Sequence, residues 1–147
     1  MTDRGRDNLA PLTALVLGWA IPGAGHAFMG RWGKGLLFFV LIVGLLVTGF
    51  VLGGETNVQI KDHSGAVVWW FAAQVGCGGP ALALVPLSQY FETRGPIDWA
   101  DPHREIGTLY TAIAGFLNVL VMMDAYIKLA YPHRKEEKEQ RGSGTRQ

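Results

Sequence analysis

Three apolar blocks, residues 34–53, 66–87 and 107–131, each reach the roughly 20 residues that a helix needs to cross a hydrocarbon core about 30 Å thick. Charged side chains are rare inside them, so they must be buried either in lipid or in one another. Composition favours lipid. Of 147 residues, 49% are hydrophobic and 17% charged, which lies outside the usual range of soluble domains of this size. One transmembrane domain over residues 9–131 follows, with a polar N-terminal stretch at 1–8 and a charged tail at 132–147. The tail carries no apolar face, and its composition predicts disorder beyond the first turn or two.

A further block, 9–28, is interrupted by Pro22, Gly23 and Gly25, and the part before the break is short for a full crossing. It either spans with a kink, because neighbouring helices can satisfy the backbone groups that a proline frees, or it enters the membrane and returns. Basic residues separate the two arrangements. Four spans with both termini cytoplasmic place nine Lys and Arg inside and four outside, namely Arg31, Lys34, Arg94 and Arg104. A re-entrant first block followed by three spans divides them six to seven, which is no bias. The expectation is therefore an all-α membrane protein with four transmembrane helices at about 9–28, 34–53, 66–87 and 107–131, and a glycine-rich turn between the first two. A cleaved signal peptide, with Gly25 and Ala27 before the cut, fits less well because Asp3 and Asp7 spoil the basic leading region.

Several function classes are disfavoured. A formal net charge of +1 without a basic stripe argues against nucleic acid. The single Cys77 permits neither an intrachain disulfide nor a cysteine-based zinc site. Ser64 and Ser88 lack a nucleophile elbow, and no complete catalytic constellation is present, so neither an enzyme nor a cofactor is expected. Asp98, Asp101, His103 and Glu105 cluster in sequence, but Asp101 is better used as a helix N-cap before Pro102, and no metal site is expected. Residues 55–65 alternate and then turn, which suggests a short hairpin, and 88–106 reads as a longer polar loop.

Two groups remain as candidate sites. The run Pro22-Gly23-Ala24-Gly25-His26-Ala27-Phe28-Met29-Gly30-Arg31-Trp32-Gly33-Lys34-Gly35 reads first as a turn between helices, with Trp32 and the basic side chains as interfacial anchors. Its sharper reading makes His26, Arg31 and Lys34 a binding site for an anionic headgroup or carboxylate. Asp124 is the one acid well inside an apolar block, and such a residue is a functional hypothesis by default. Lys128, one turn later, is its nearest partner; His26 or an arginine on another helix is the alternative, and proton handling a third. Asn118 and Gln74 suit interhelical hydrogen bonds, while Gly49 with Gly53 and Thr111 with Gly115 have the spacing that brings helices close.

The residues Pro22, Gly23, Gly25, His26, Phe28, Gly30, Arg31, Lys34 and Gly35 resemble the pattern of the two-transmembrane-domain family of small bacterial membrane proteins. Two further apolar segments follow here, and the Asp-Arg-Phe triplet of many members is missing. The chain is more similar to uncharacterised four-span relatives, in which a stretch like Glu105-Ile106-Gly107-Thr108-Leu109-Tyr110-Thr111 opens the last span and Leu117-Asn118 and Asp124-Ala125 recur. The resemblance implies a bacterial cytoplasmic membrane protein and supplies no activity. The expected role is a non-enzymatic accessory or scaffold subunit with cytoplasmic termini, whose partners are the lipid bilayer and a second copy or another membrane protein. The alternative is a small oligomeric transporter or channel using Asp124 and His26.

Overall fold

The computed structural model describes residues 3–58, 60, 69–94 and 101–131, and every regular element among them is a helix. In chain order they are α1 (Asp3–Ala20), α2 (Ala24–Phe28), α3 (Trp32–Leu52), α4 (Trp69–Val75), α5 (Gly79–Glu92) and α6 (Pro102–Ala130). The expected hairpin at 55–65 lies largely, and the tail at 132–147 wholly, outside the described residues. Two helices, α3 and α6, are long and apolar enough to cross a membrane, yet only 28% and 33% of their most apolar stretches is buried within the chain. Leu36, Val40, Leu41 and Val47 on α3, and Leu109, Phe116 and Leu120 on α6, face outward. The core helix of a water-soluble domain would hide such a surface.

Helices α3 and α6 run antiparallel and touch backbone to backbone. Next to the end of α3, a methyl group on Gly49 would sit 2.8 Å from the Gly107 carbonyl oxygen and 2.8 Å from the Thr111 nitrogen. At the other end His26 joins Phe38 of α3 to Asp124 of α6. The small-residue spacings expected to bring helices together do so here: Gly49 and Gly53 meet Gly107, and Gly115 receives Ala73 and Cys77.

Helix α1 also runs against α6. Gly18 lies beside Met122 and gives its carbonyl to Asn118, whereas Ala14, one turn earlier, shares Gly25 with Ala125. Since α1 and α3 both oppose α6, they are parallel to each other, and the chain between them has to turn back. Residues 21–31 make that return, with α2 as a single-turn leg. The block expected as a helix over 9–28 therefore ends at Ala20, about level with the middle of α6. Gly23 makes the reversal possible: its φ of 82° favours glycine, and a Cβ there would collide with the Gly35 carbonyl.

The third block, expected as one span over 66–87, is likewise broken. Helix α4 starts near Arg104 and Thr108, passes Thr111 through Gln74 and reaches Gly115 and Asn118 at Gly76, so it runs along α6 in the same direction. At Gly76-Cys77-Gly78 the chain turns. Ala81 joins Ile42, Leu46 and Ala114 in one buried cluster, and Val85 joins Phe50 and Val58 in the next, with Phe91 packed against it. Helix α5 therefore climbs back along α3 to the end where α4 began. The physical reason is Gly78, with φ 64° and no room for a Cβ against the Trp19 carbonyl, followed by Pro80 in the first turn of α5. Helix α5 then runs to Glu92 and buries Ser88, so the polar loop expected at 88–106 is shorter than its composition suggested.

The chain thus repeats one plan in opposite directions. A helix ends halfway along the bundle, the chain reverses, and a long helix follows: α1, α2 and α3, then α4, α5 and α6. The two reversals meet. The Trp19 indole nitrogen donates to the Val75 carbonyl at 3.1 Å, and Gly78 and Gly79 pack on the carbonyls of Trp19 and Ala20.

Candidate functional site

Helix α6 carries a buried stripe of Gly107, Thr111, Ala114, Gly115, Asn118, Met122 and Ala125. The 3.6-residue helical period puts these on one side; two polar groups lie along that stripe, and a third, at Asp124, lies to the side of it. At the α6 N-terminal end, buried Gln74 donates to the Thr111 hydroxyl at 2.8 Å and to the Asn57 carbonyl at 3.1 Å, while the Asn57 amide donates to the Gly49 carbonyl at 3.1 Å. Midway, Asn118 is fully buried and its amide nitrogen donates to the Gly18 carbonyl at 3.1 Å and the Gly76 carbonyl at 3.0 Å. These are the interhelical bonds expected of Asn118 and Gln74. Of the carbonyls that Asn118 takes, that of Gly18 lies in the last turn of α1 and that of Gly76 just past the end of α4, where C=O groups lack a partner within the helix.

The third group lies near the C-terminal end of α6. His26 Nε2 and Asp124 Oδ2 are 2.9 Å apart, and Lys128 Nζ bonds the same carboxylate oxygen from one turn along. The two partners considered for Asp124, Lys128 on its own helix and His26 on another, are both present. The His26 side chain is fully buried, against 46% exposure for that of Asp124. Its ring meets Phe38 edge-on with centroids 5.0 Å apart. A carboxylate can only accept, so Nε2 carries the proton in this bond. The other nitrogen, Nδ1, is buried without a hydrogen-bond partner among the described residues. The result is a sealed imidazole joined to a carboxylate that opens to the outside.

Arg31 and Lys34 stand apart from this group. Arg31 is half-buried and Lys34 exposed, and neither forms an ion pair with another described residue. His26 meets Arg31 only through the backbone, its carbonyl accepting from the Arg31 N–H at 3.0 Å. The structure therefore commits His26 to Asp124 and leaves Arg31 and Lys34 on the rim. Asp101 caps α6 as its sequence suggests, accepting from the His103 N–H at 2.9 Å ahead of Pro102. Among the described residues no group of three or more His, Cys, Asp or Glu could hold a metal ion. Sequence reasoning missed Trp19 and Asn57. An indole bonded to a carbonyl 56 residues away has no local signal, and Asn57 reads as an ordinary loop residue.

An Asp124→Ala substitution leaves the buried His26 N–H without an acceptor and should cost about 1–3 kcal/mol. Lys128→Ala removes a partly exposed partner and should cost no more than about 1 kcal/mol. Denaturant unfolding of the two variants in detergent micelles is expected to rank them in that order; a larger loss from Lys128→Ala would show that the carboxylate serves Lys128 first.

No curated protein matches the chain, and no solved structure does. The model of a protein family of unknown function, DUF6677, matches residues 13–138, a stretch that runs from the first half-length helix past the end of α6 and includes His26, Asn118 and Asp124. The chain belongs to that family, DUF6677.

Proposed function

We propose that the chain is a non-enzymatic accessory or scaffold protein of a bacterial cytoplasmic membrane. Two full spans, α3 and α6, hold between them two hairpins that enter from opposite faces and meet at mid-depth. The observation that carries the membrane placement is the apolar outer surface of the two long helices, which are mostly uncovered by the rest of the chain. Charge supports the crossing pattern. On this path ten of the thirteen Lys and Arg of the sequence belong to the first turn of α1, to the stretch from the end of α1 through the first turn of α3, and to the stretch from the last turn of α6 onward, and three to the stretches between α3 and α4 and from the end of α5 through the first turn of α6. Ten against three is a stronger positive-inside bias than nine against four, and it makes the face of the termini cytoplasmic. The accessory role rests on how closed the bundle is. Where α3 crosses α6 at Gly49 and Gly107 the backbones touch, which leaves no room for a solute at that point.

A transport role is the second reading, and the opposed half-length helices favour it. Broken helices meeting near mid-membrane, in halves of inverted direction, are a plan on which secondary transporters are built. Asp124, half-exposed and bonded to buried His26, is the group that would carry the proton or ion.

Single cysteines on a Cys77→Ala background decide the crossing pattern. With a membrane-impermeant thiol reagent in intact cells, cysteines at Ile60 and Thr93 are expected to label while those at Gly33 and Ser143 stay protected. Four full spans would instead label Gly33 and Thr93 and protect Ile60 and Ser143. Proteoliposomes decide the role. The accessory reading expects proton flux no greater than in empty vesicles for the wild type and for Asp124→Asn alike; flux that Asp124→Asn abolishes would establish the transport reading in its place.

A further inference from the structure

A groove of about 390 Å³ lies between α4 and the first half of α6. Trp70 and Ala73 form its α4 wall, and Leu109, Ala112 and Phe116 line its α6 side. Among the described residues, its polar lining is Arg104, Glu105 and Thr108, at the end where α4 and α6 begin. From Arg104 to Phe116 α6 rises about 18 Å, close to half of a hydrocarbon core about 30 Å thick. The groove therefore ends near where α4 ends, at mid-depth, and has the length of one acyl chain in one leaflet.

This polar end carries both signs of charge. The Arg104 guanidinium is held in place by Thr56, donating to the hydroxyl at 2.7 Å and to the carbonyl at 3.2 Å. Glu105 follows directly, with its side chain on the exposed side of the helix. We propose that this groove binds one phospholipid of the leaflet at the α6 N-terminal end, with a headgroup that carries a primary ammonium beside its phosphate. Arg104 faces the phosphate and Glu105 the ammonium, while one acyl chain lies along Leu109, Ala112 and Phe116. A headgroup with no cation sets its negative charge against Glu105 and is disfavoured, which gives the site a preference among lipids and not only an apolar contact. The site rests on the membrane placement proposed above.

Native mass spectrometry of the full chain, purified in detergent and supplied with equimolar phosphatidylethanolamine and phosphatidylglycerol, tests this. The wild type is expected to retain one phosphatidylethanolamine, severalfold over phosphatidylglycerol. Glu105→Gln should bring the retained ratio close to one, and Ala112→Phe, which fills the groove, should remove the adduct. Unchanged headgroup preference in Glu105→Gln overturns the proposal, and that exposed position decides the matter even if Ala112→Phe does not fold. Adducts persisting in a folded Ala112→Phe also overturn it, as does a second protein chain displaced by Ala112→Phe in place of a lipid. Thiol labelling of the same preparation before extraction separates the two failures: the labelling expected above with no lipid retained removes this site alone, whereas four-span labelling removes the placement beneath it.

Discussion

The amide of Asn118 donates to the carbonyls of Gly18 and Gly76, and so ties the ends of two helices from opposite halves of the chain to the middle of α6. A helix that stops partway through an apolar layer leaves its last carbonyl groups without partners, at a cost of several kcal/mol each when no water reaches them. Here those ends are answered from within. The Trp19 indole takes the Val75 carbonyl, and the N–H groups of Cys77 and Gly78 take Gln74 and Val75. Without such donors at mid-depth, neither α1 nor α4 could end where it does.

With both ends satisfied, the rest of the path is forced. Gly23 and Gly78 reverse the chain in conformations that other residues adopt poorly, and each sits against a backbone that leaves no space for a side chain. The reversals bring the termini of α3 and α6 to opposite ends, and these long helices then meet at glycines. His26 and Asp124 close one end of this arrangement, and Gln74, Thr111 and Asn57 close the other. The polar groups are thus distributed as braces along the length of α6, two on its buried stripe and one, at Asp124, beside it.

Much of the contact chemistry was legible in the sequence. Gly49, Gly53, Thr111 and Gly115 announced close packing by their spacing, Asp101 before Pro102 announced a helix start, and Asp124 announced Lys128 one turn on. Polar residues inside apolar blocks, Asn118 and Gln74, announced bonds between helices. The path of the chain was harder to read, because hydropathy counts residues and not direction. Residues 66–87 are apolar but for Gln74, so Cys77-Gly78-Gly79-Pro80 reads as a kink or a tight packing contact inside a continuous span. In the first block the proline and glycines marked the break but did not say whether the chain went on or came back. His26 as a partner of Asp124 could only be one option among several, since 98 residues separate them.

The central claim is that the chain crosses the membrane twice, through α3 and α6, and reverses twice inside it. The most direct measurement is the distance between spin labels placed at Gly33 and Thr93 of the Cys77→Ala chain in lipid nanodiscs, by pulsed electron paramagnetic resonance. Two crossings put these positions on opposite faces, with a separation of at least about 30 Å, the thickness of the hydrocarbon core. Four crossings put them on the same face, and a distance distribution centred well below that thickness would contradict the account.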